Sequence, residues 1–248
     1  MPREARASEA LTLSEVDGVR YLHFGTEWVQ GAMRLAQPFR LELEYQQQMM
    51  APLLFVPRPE DVLQLGLGAA ALTKFCYRHL RGSRVVVVEI CAPVVEAARR
   101  WFALPDDDTR LRVVRADAGA YVRRSPQAAD WLQVDLYDAA ARGPVLDDAG
   151  FYRACRGALR PGGVAAFNLF GSSLPPSIAG IRAAFGEHWL RLPRSEAGNT
   201  IVLGFTSDPR DWPLQLLRQR AQRMQARFGM PAPQWLAGMR TSSSRRLL

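Results

Sequence analysis

The chain of 248 residues has one lysine, Lys74, so its 32 basic side chains are almost all arginine. Its three cysteines, Cys76, Cys91 and Cys155, are too few and too widely spaced for a disulfide framework. They fit reduced thiols in a cytoplasmic protein. The three histidines, His23, His79 and His188, fall on separate segments without ligand spacing, and no metal is expected. No apolar run approaches the roughly 18 to 20 residues that cross a bilayer. The opening MPREARASEA lacks the apolar stretch of a signal peptide. Acidic residues run out near the end: residues 210–248 hold eight arginines and one acid, Asp211, a net of +7. Residues 1–209 hold 24 basic and 23 acidic side chains, a net of +1, so the total of +8 belongs to the last segment. A basic end differs from a basic face on the folded body, and neither a nucleic-acid nor a membrane partner is expected. With 48% hydrophobic and 23% charged residues, the composition is that of a globular protein with a sizeable core.

The pattern along the chain divides it into three parts. Residues 1–57 carry short β-leaning pieces at Leu11–Glu15, Val19–Phe24 and Trp28–Met33, broken by Asp17-Gly18 and Gly25. A helix-favouring stretch follows at Leu41–Leu54, ended near Pro52. From residue 58 to 209 apolar strands alternate with helical segments: strands at Val62–Leu67, Arg84–Ile90, Leu111–Arg115, Asp130–Leu136 and Val164–Phe170. Two strands, His188–Leu192 and Thr200–Phe205, close the series with no helix between them. Residues 210–248 begin with an amphipathic helix on Leu214, Leu217, Ala221, Met224 and Phe228 and finish in a polar stretch expected to be unstructured.

Near-continuous apolar strands between helices require a parallel sheet covered on both faces. Two last strands without a crossover can pair only as an antiparallel hairpin. The predicted fold is therefore α/β: a mostly parallel, seven-stranded, Rossmann-like sheet of the class I methyltransferase type, preceded by a small β-rich module.

The strongest motif is Leu65-Gly66-Leu67-Gly68-Ala69-Ala70, between the first strand of the array and a helix. Glycine there permits a tight turn and close approach of a ligand to the main chain. Glu89 stands 21 residues after Gly68, directly after VVVV, where a carboxylate meets ribose hydroxyls. Asp117, just past the third strand, can accept from an adenine amino group, cap the helix starting at Ala118, or do both. The missing third glycine and the closing hairpin favour an S-adenosyl ligand over a dinucleotide. At the end of the fourth strand, Asp135, Tyr137 and Asp138 suit the binding and deprotonation of a cationic amine. Asp138 can equally begin the turn before Gly143-Pro144.

These residues carry a resemblance. The chain resembles the spermidine synthase (polyamine aminopropyltransferase) family over roughly residues 15–210. The family's Gly-Gly-Gly-Asp-Gly-Gly loop matches Gly66 to Ala71, its ribose-binding Glu matches Glu89, and its Gly-Asp matches Ala116-Asp117. Its Asp-Ser-Ser-Asp loop matches Asp135 to Asp138, the first Asp being the amine-activating base. A Tyr-Gln segment matches Tyr45 with Gln46 or Gln47. The resemblance implies an adenosyl sulfonium donor, decarboxylated S-adenosylmethionine, a small amine acceptor, methylthioadenosine as product, and a homodimer.

One departure stands out. The loop Asp that holds the donor's ammonium in that family is Ala69 here, which removes a contact worth roughly 1.5–3 kcal/mol. It also removes repulsion against the carboxylate of intact S-adenosylmethionine. Methyl transfer from S-adenosylmethionine, or nucleoside binding without catalysis, are the alternatives to aminopropyl transfer.

Overall fold

The structure, a computed structural model, describes residues 11–24, 29–137, 145–171 and 174–241. Strands Leu11–Val16 (β1), Val19–Phe24 (β2) and Gly31–Arg34 (β3) form an antiparallel three-stranded sheet. Asp17 and Gly18 both have positive φ, 50° and 73°, and close the β1–β2 hairpin in two residues.

The helix-favouring stretch Leu41–Leu54 is helical in part, as helix Glu44–Gln48 (α1) and a 3-10 turn at Ala51–Leu54. Pro52 explains the break. Its ring fits only the first turn of a helix, so the chain restarts there.

The alternating region then runs Asp61–Leu65 (β4), Ala71–His79 (α2), Arg84–Glu89 (β5), Ala92–Trp101 (α3), Leu111–Arg115 (β6) and Ala118–Arg123 (α4). It continues with Ala129–Val134 (β7), Ala149–Ala158 (α5), Leu159–Phe170 (β8), Leu174–Phe185 (α6), Trp189–Arg191 (β9) and Asn199–Phe205 (β10). Helices Leu214–Phe228 (α7) and Ala232–Gly238 (α8) and a short strand, Arg240–Thr241 (β11), complete it.

These strands make one sheet in the order β11-β9-β10-β8-β7-β4-β5-β6. Neighbours from β8 to β6 are parallel, while β10, β9 and β11 pair antiparallel. The sheet has eight strands rather than the expected seven. Arg240 and Thr241, assigned by composition to an unstructured end, lie against β9, and α8 had no clear periodic signal.

Alternate strand residues feed two cores. Val62, Val85, Val87 and Trp131 face one side with α2, α3, α7 and α8, while Leu63, Val88, Leu132 and Phe167 face α4, α5 and α6. Trp131 is wholly buried and belongs to this packing. Helix α7 docks through Leu217, Ala221 and Met224, as its spacing predicts. Its Arg220 donates to the Leu54 and Phe55 carbonyls, at 2.8 and 3.0 Å. Lys74 is buried with its Nζ on the Phe102 carbonyl at 2.7 Å, and desolvation lowers its pKa to about 7. Among the described residues, no helix is long and apolar enough to cross a membrane.

Candidate active site

The chain builds the sheet outward from β4, first through β5 and β6, then back through β7 and β8. Strand order therefore reverses at β4, and a crevice opens between the carboxyl ends of β4 and β7. The strand ends are tied to their neighbours: Asp135 N, just past β7, donates to Leu65 O of β4 at 2.9 Å, and Gly66 N, just past β4, donates to Val88 O of β5 at 2.9 Å. Gly66 has φ 96°, and a Cβ there would overlap the Asp135 carbonyl oxygen, so only glycine fits. Ala70, where the family loop carries glycine, takes a left-handed φ of 57° as the N-cap of α2.

A cavity of about 740 Å³ lies over this bend. Its wall brings together Gly66, Gly68, Glu89, Asp117, Asp135 and Tyr137, six of the residues expected from sequence. The half-buried Glu89 accepts the Leu67 N–H at 3.0 Å and the Cys91 N–H at 2.9 Å. Burial raises its pKa, and those amide donors oppose the rise. Asp117 takes the capping role, accepting the Ala120 N–H at 2.7 Å, while also facing the cavity.

Asp135 follows β7 and is held by side chains from two other elements. Asn168, near the end of β8, donates from Nδ2 at 2.9 Å, and Tyr45 of α1 donates its hydroxyl. Burial pushes the Asp135 carboxyl up to about 6 against the pull of these donors. The Tyr137 hydroxyl donates to the Asn168 carbonyl at 3.1 Å. Burial first, and the Asp135 charge second, raise its pKa, so it stays protonated.

Two expected residues fall elsewhere. Gln47 is off the wall, its Nε2 donating to Leu41 O at 3.2 Å, and Glu44 and Tyr45 take that place. Residues two apart on a helix point in nearly opposite directions, so Tyr45 and Gln47 cannot both face the cavity. Ala69 is also off the wall: it packs with Leu22, Met33 and Phe102, and a Cβ on Gly31 would come within 2.5 Å of its methyl. Asp138 lies outside the described residues.

Polar residues outside the expected set also line the wall, Glu44, Asn168 and Asn199 among them. Glu44 accepts from Gln48 Nε2 at 3.2 Å and from Glu196 N at 2.8 Å. Asn168 and Asn199 are linked to each other at 3.0 Å. The one available signal was Asn168 itself, a lone amide in the otherwise apolar run VAAFNLF.

Residues 42–168 match the spermine/spermidine synthase domain family. A polyamine aminopropyltransferase of Neisseria meningitidis serogroup A is 30% identical over 234 residues, covering 93% of this chain and 89% of that protein. A probable spermidine synthase from Corynebacterium glutamicum shares the fold, with a TM-score of 0.73 at 21% identity, over 89% of this chain and 85% of that one. Human methyltransferase-like protein 13, solved in complex with SAH, is similar with a TM-score of 0.62 at 25% identity, over 74% of this chain and 91% of that one. The chain belongs to the spermine/spermidine synthase domain family.

Proposed function

We propose that the protein is a transferase moving the aminopropyl group of decarboxylated S-adenosylmethionine to a small amine, releasing methylthioadenosine. The observation that carries this reading is the charge of the cavity wall. Glu44, Glu89, Asp117 and Asp135 line it, and no Arg, Lys or His does among the described residues, in a chain of net charge +8. Such a wall favours cationic substrates, and the decarboxylated donor has a sulfonium, an ammonium and no carboxylate. Intact S-adenosylmethionine would bring a carboxylate that finds no cation there.

In this reading Gly66 and Gly68 let the nucleoside approach the main chain, Glu89 holds the ribose hydroxyls and Asp117 the adenine amino group. Asp135 takes a proton from the acceptor ammonium. The freed nitrogen lone pair attacks the methylene beside sulfur, the C–S bond breaks, and its electrons neutralise the sulfonium. A base with a pKa near 6 suits that step better than an ordinary carboxylate does. Tyr137 and Tyr45 orient the acceptor beside it. A homodimer, as the family resemblance implies, and a cytoplasmic location, which the few unpaired cysteines fit, belong to the same proposal.

Methyl transfer is the second reading, favoured by Ala69, which stands where the family carries an acid. One assay separates them. The protein is incubated with a panel of diamines and monoamines and with each sulfonium donor in turn. Methylthioadenosine is the expected product, S-adenosylhomocysteine would establish methyl transfer, and neither product would favour nucleoside binding without catalysis.

A further inference from the structure

Asn168 and Asn199 are buried amides on the adjacent antiparallel strands β8 and β10. They belong to a chain of hydrogen bonds with one direction. Ser195 Oγ donates to Asn199 Oδ1 at 3.5 Å, and Asn199 N donates back to Ser195 Oγ at 2.9 Å. Asn199 Nδ2 donates to Asn168 Oδ1 at 3.0 Å, and Asn168 Nδ2 donates to Asp135 Oδ1 at 2.9 Å.

An amide has donors on one branch and an acceptor on the other, whereas an ionised carboxylate only accepts. With Asp135 charged, Asn168 must therefore present its NH2 group to Asp135 and its oxygen to Asn199. A flipped Asn168 would set oxygen against oxygen, a geometry stable only if Asp135 carries a proton. The orientation of one amide and the charge of Asp135 are thus coupled, and Asn199 holds the amide in one of its two states.

We propose that Asn199 is a positioning residue that acts through the Asn168 amide to keep the Asp135 carboxylate ionised and correctly aimed. The role rests on the reading of Asp135 as the base. The surroundings make such a device necessary. Tyr45 from α1 and Tyr137 from the same loop face Asp135, and Glu44, Glu89 and Asp117 share its cavity. No cationic side chain lines that cavity among the described residues, so neutral donors alone offset burial and like charge.

The test is a carbon-13 titration of aspartate-labelled protein, with Asp135→Asn identifying the Asp135 carboxyl signal. Asn199→Leu is expected to raise the Asp135 midpoint by about one pH unit, the scale of one lost hydrogen bond to a charge. Asn199→Asp is expected to raise it further, because a carboxylate at that position accepts from Asn168 Nδ2 and turns the amide oxygen toward Asp135. Should Asn199→Leu fail to fold by circular dichroism, the near-isosteric Asn199→Asp carries the test. The acid limb of kcat/KM should move with the midpoint. A midpoint that stays or falls in the folded variants overturns the proposal. A shifted midpoint in a protein that forms no methylthioadenosine leaves the relay standing and removes the aminopropyl-transfer reading.

Discussion

The Glu89 carboxylate spans the Leu67 N–H, at 3.0 Å, and the Cys91 N–H, at 2.9 Å, so one side chain ties the glycine bend after β4 to the start of α3. It shapes the bend and lines the cavity at once. In the proposed function, a ribose diol uses the rest of its acceptor capacity.

Glu89→Gln replaces one acceptor oxygen with a donor, which then faces a backbone N–H. Methylthioadenosine should bind about tenfold to a hundredfold more weakly, on the order of 1–3 kcal/mol. Isothermal calorimetry reads this directly. An unchanged Kd would remove Glu89 from nucleoside binding.

Asp135 must be ionised to accept a proton, and its carboxyl sits near 6 because burial outweighs its donors. Activity should accordingly fall as pH drops through about 6, approaching tenfold per unit below it. Asp135→Asn should lose roughly 100- to 10,000-fold in turnover, with nucleoside affinity retained. A variant of near-normal rate would take Asp135 out of the mechanism.

Lys74 makes stability depend on pH in the opposite region. Its folded pKa of about 7 lies below the ordinary lysine value, so the unfolded chain binds the proton more tightly. Folding should strengthen as pH rises from about 7 toward the ordinary lysine range, by up to about 1.4 kcal/mol per unit. Denaturant unfolding of the wild type against Lys74→Met checks this. The rise should vanish in the variant, and equal slopes would refute the assignment.

Arg220 belongs to the arginine-rich segment yet bonds the Leu54 and Phe55 carbonyls beside α1. Arg220→Ala strands two acceptors and should cost about 1–3 kcal/mol of stability, without changing nucleoside affinity. The exposed Arg218 and Arg223 on the same helix make the control, with substitutions expected within about 0.5 kcal/mol. Equal effects at all three positions would contradict the docking role.

Much of the architecture was legible because it is local. The alternation of apolar runs specified strands and covering helices, and Gly66, Glu89, Asp117 and Asp135 could be placed at strand ends by counting along the chain. Ala69 and Gln47 show where that counting fails. Ala69 sits in the glycine loop by number, but its methyl is directed by the packing of Gly31 from a different sheet. Gln47 lies in the right segment, but α1 turns its amide away from the cavity toward Leu41.

The amino-acid pattern determined which residues stand at the carboxyl edge of the sheet, since strand length and the period-two alternation are written in short windows. Only the tertiary structure decided who meets whom there. Asn168 and Asn199 reach Asp135 through the pairing of β8 with β7 and β10, and Tyr45 arrives from a helix outside the sheet. Such meetings depend on crossovers and strand register across long stretches of chain, and no local periodicity encodes them.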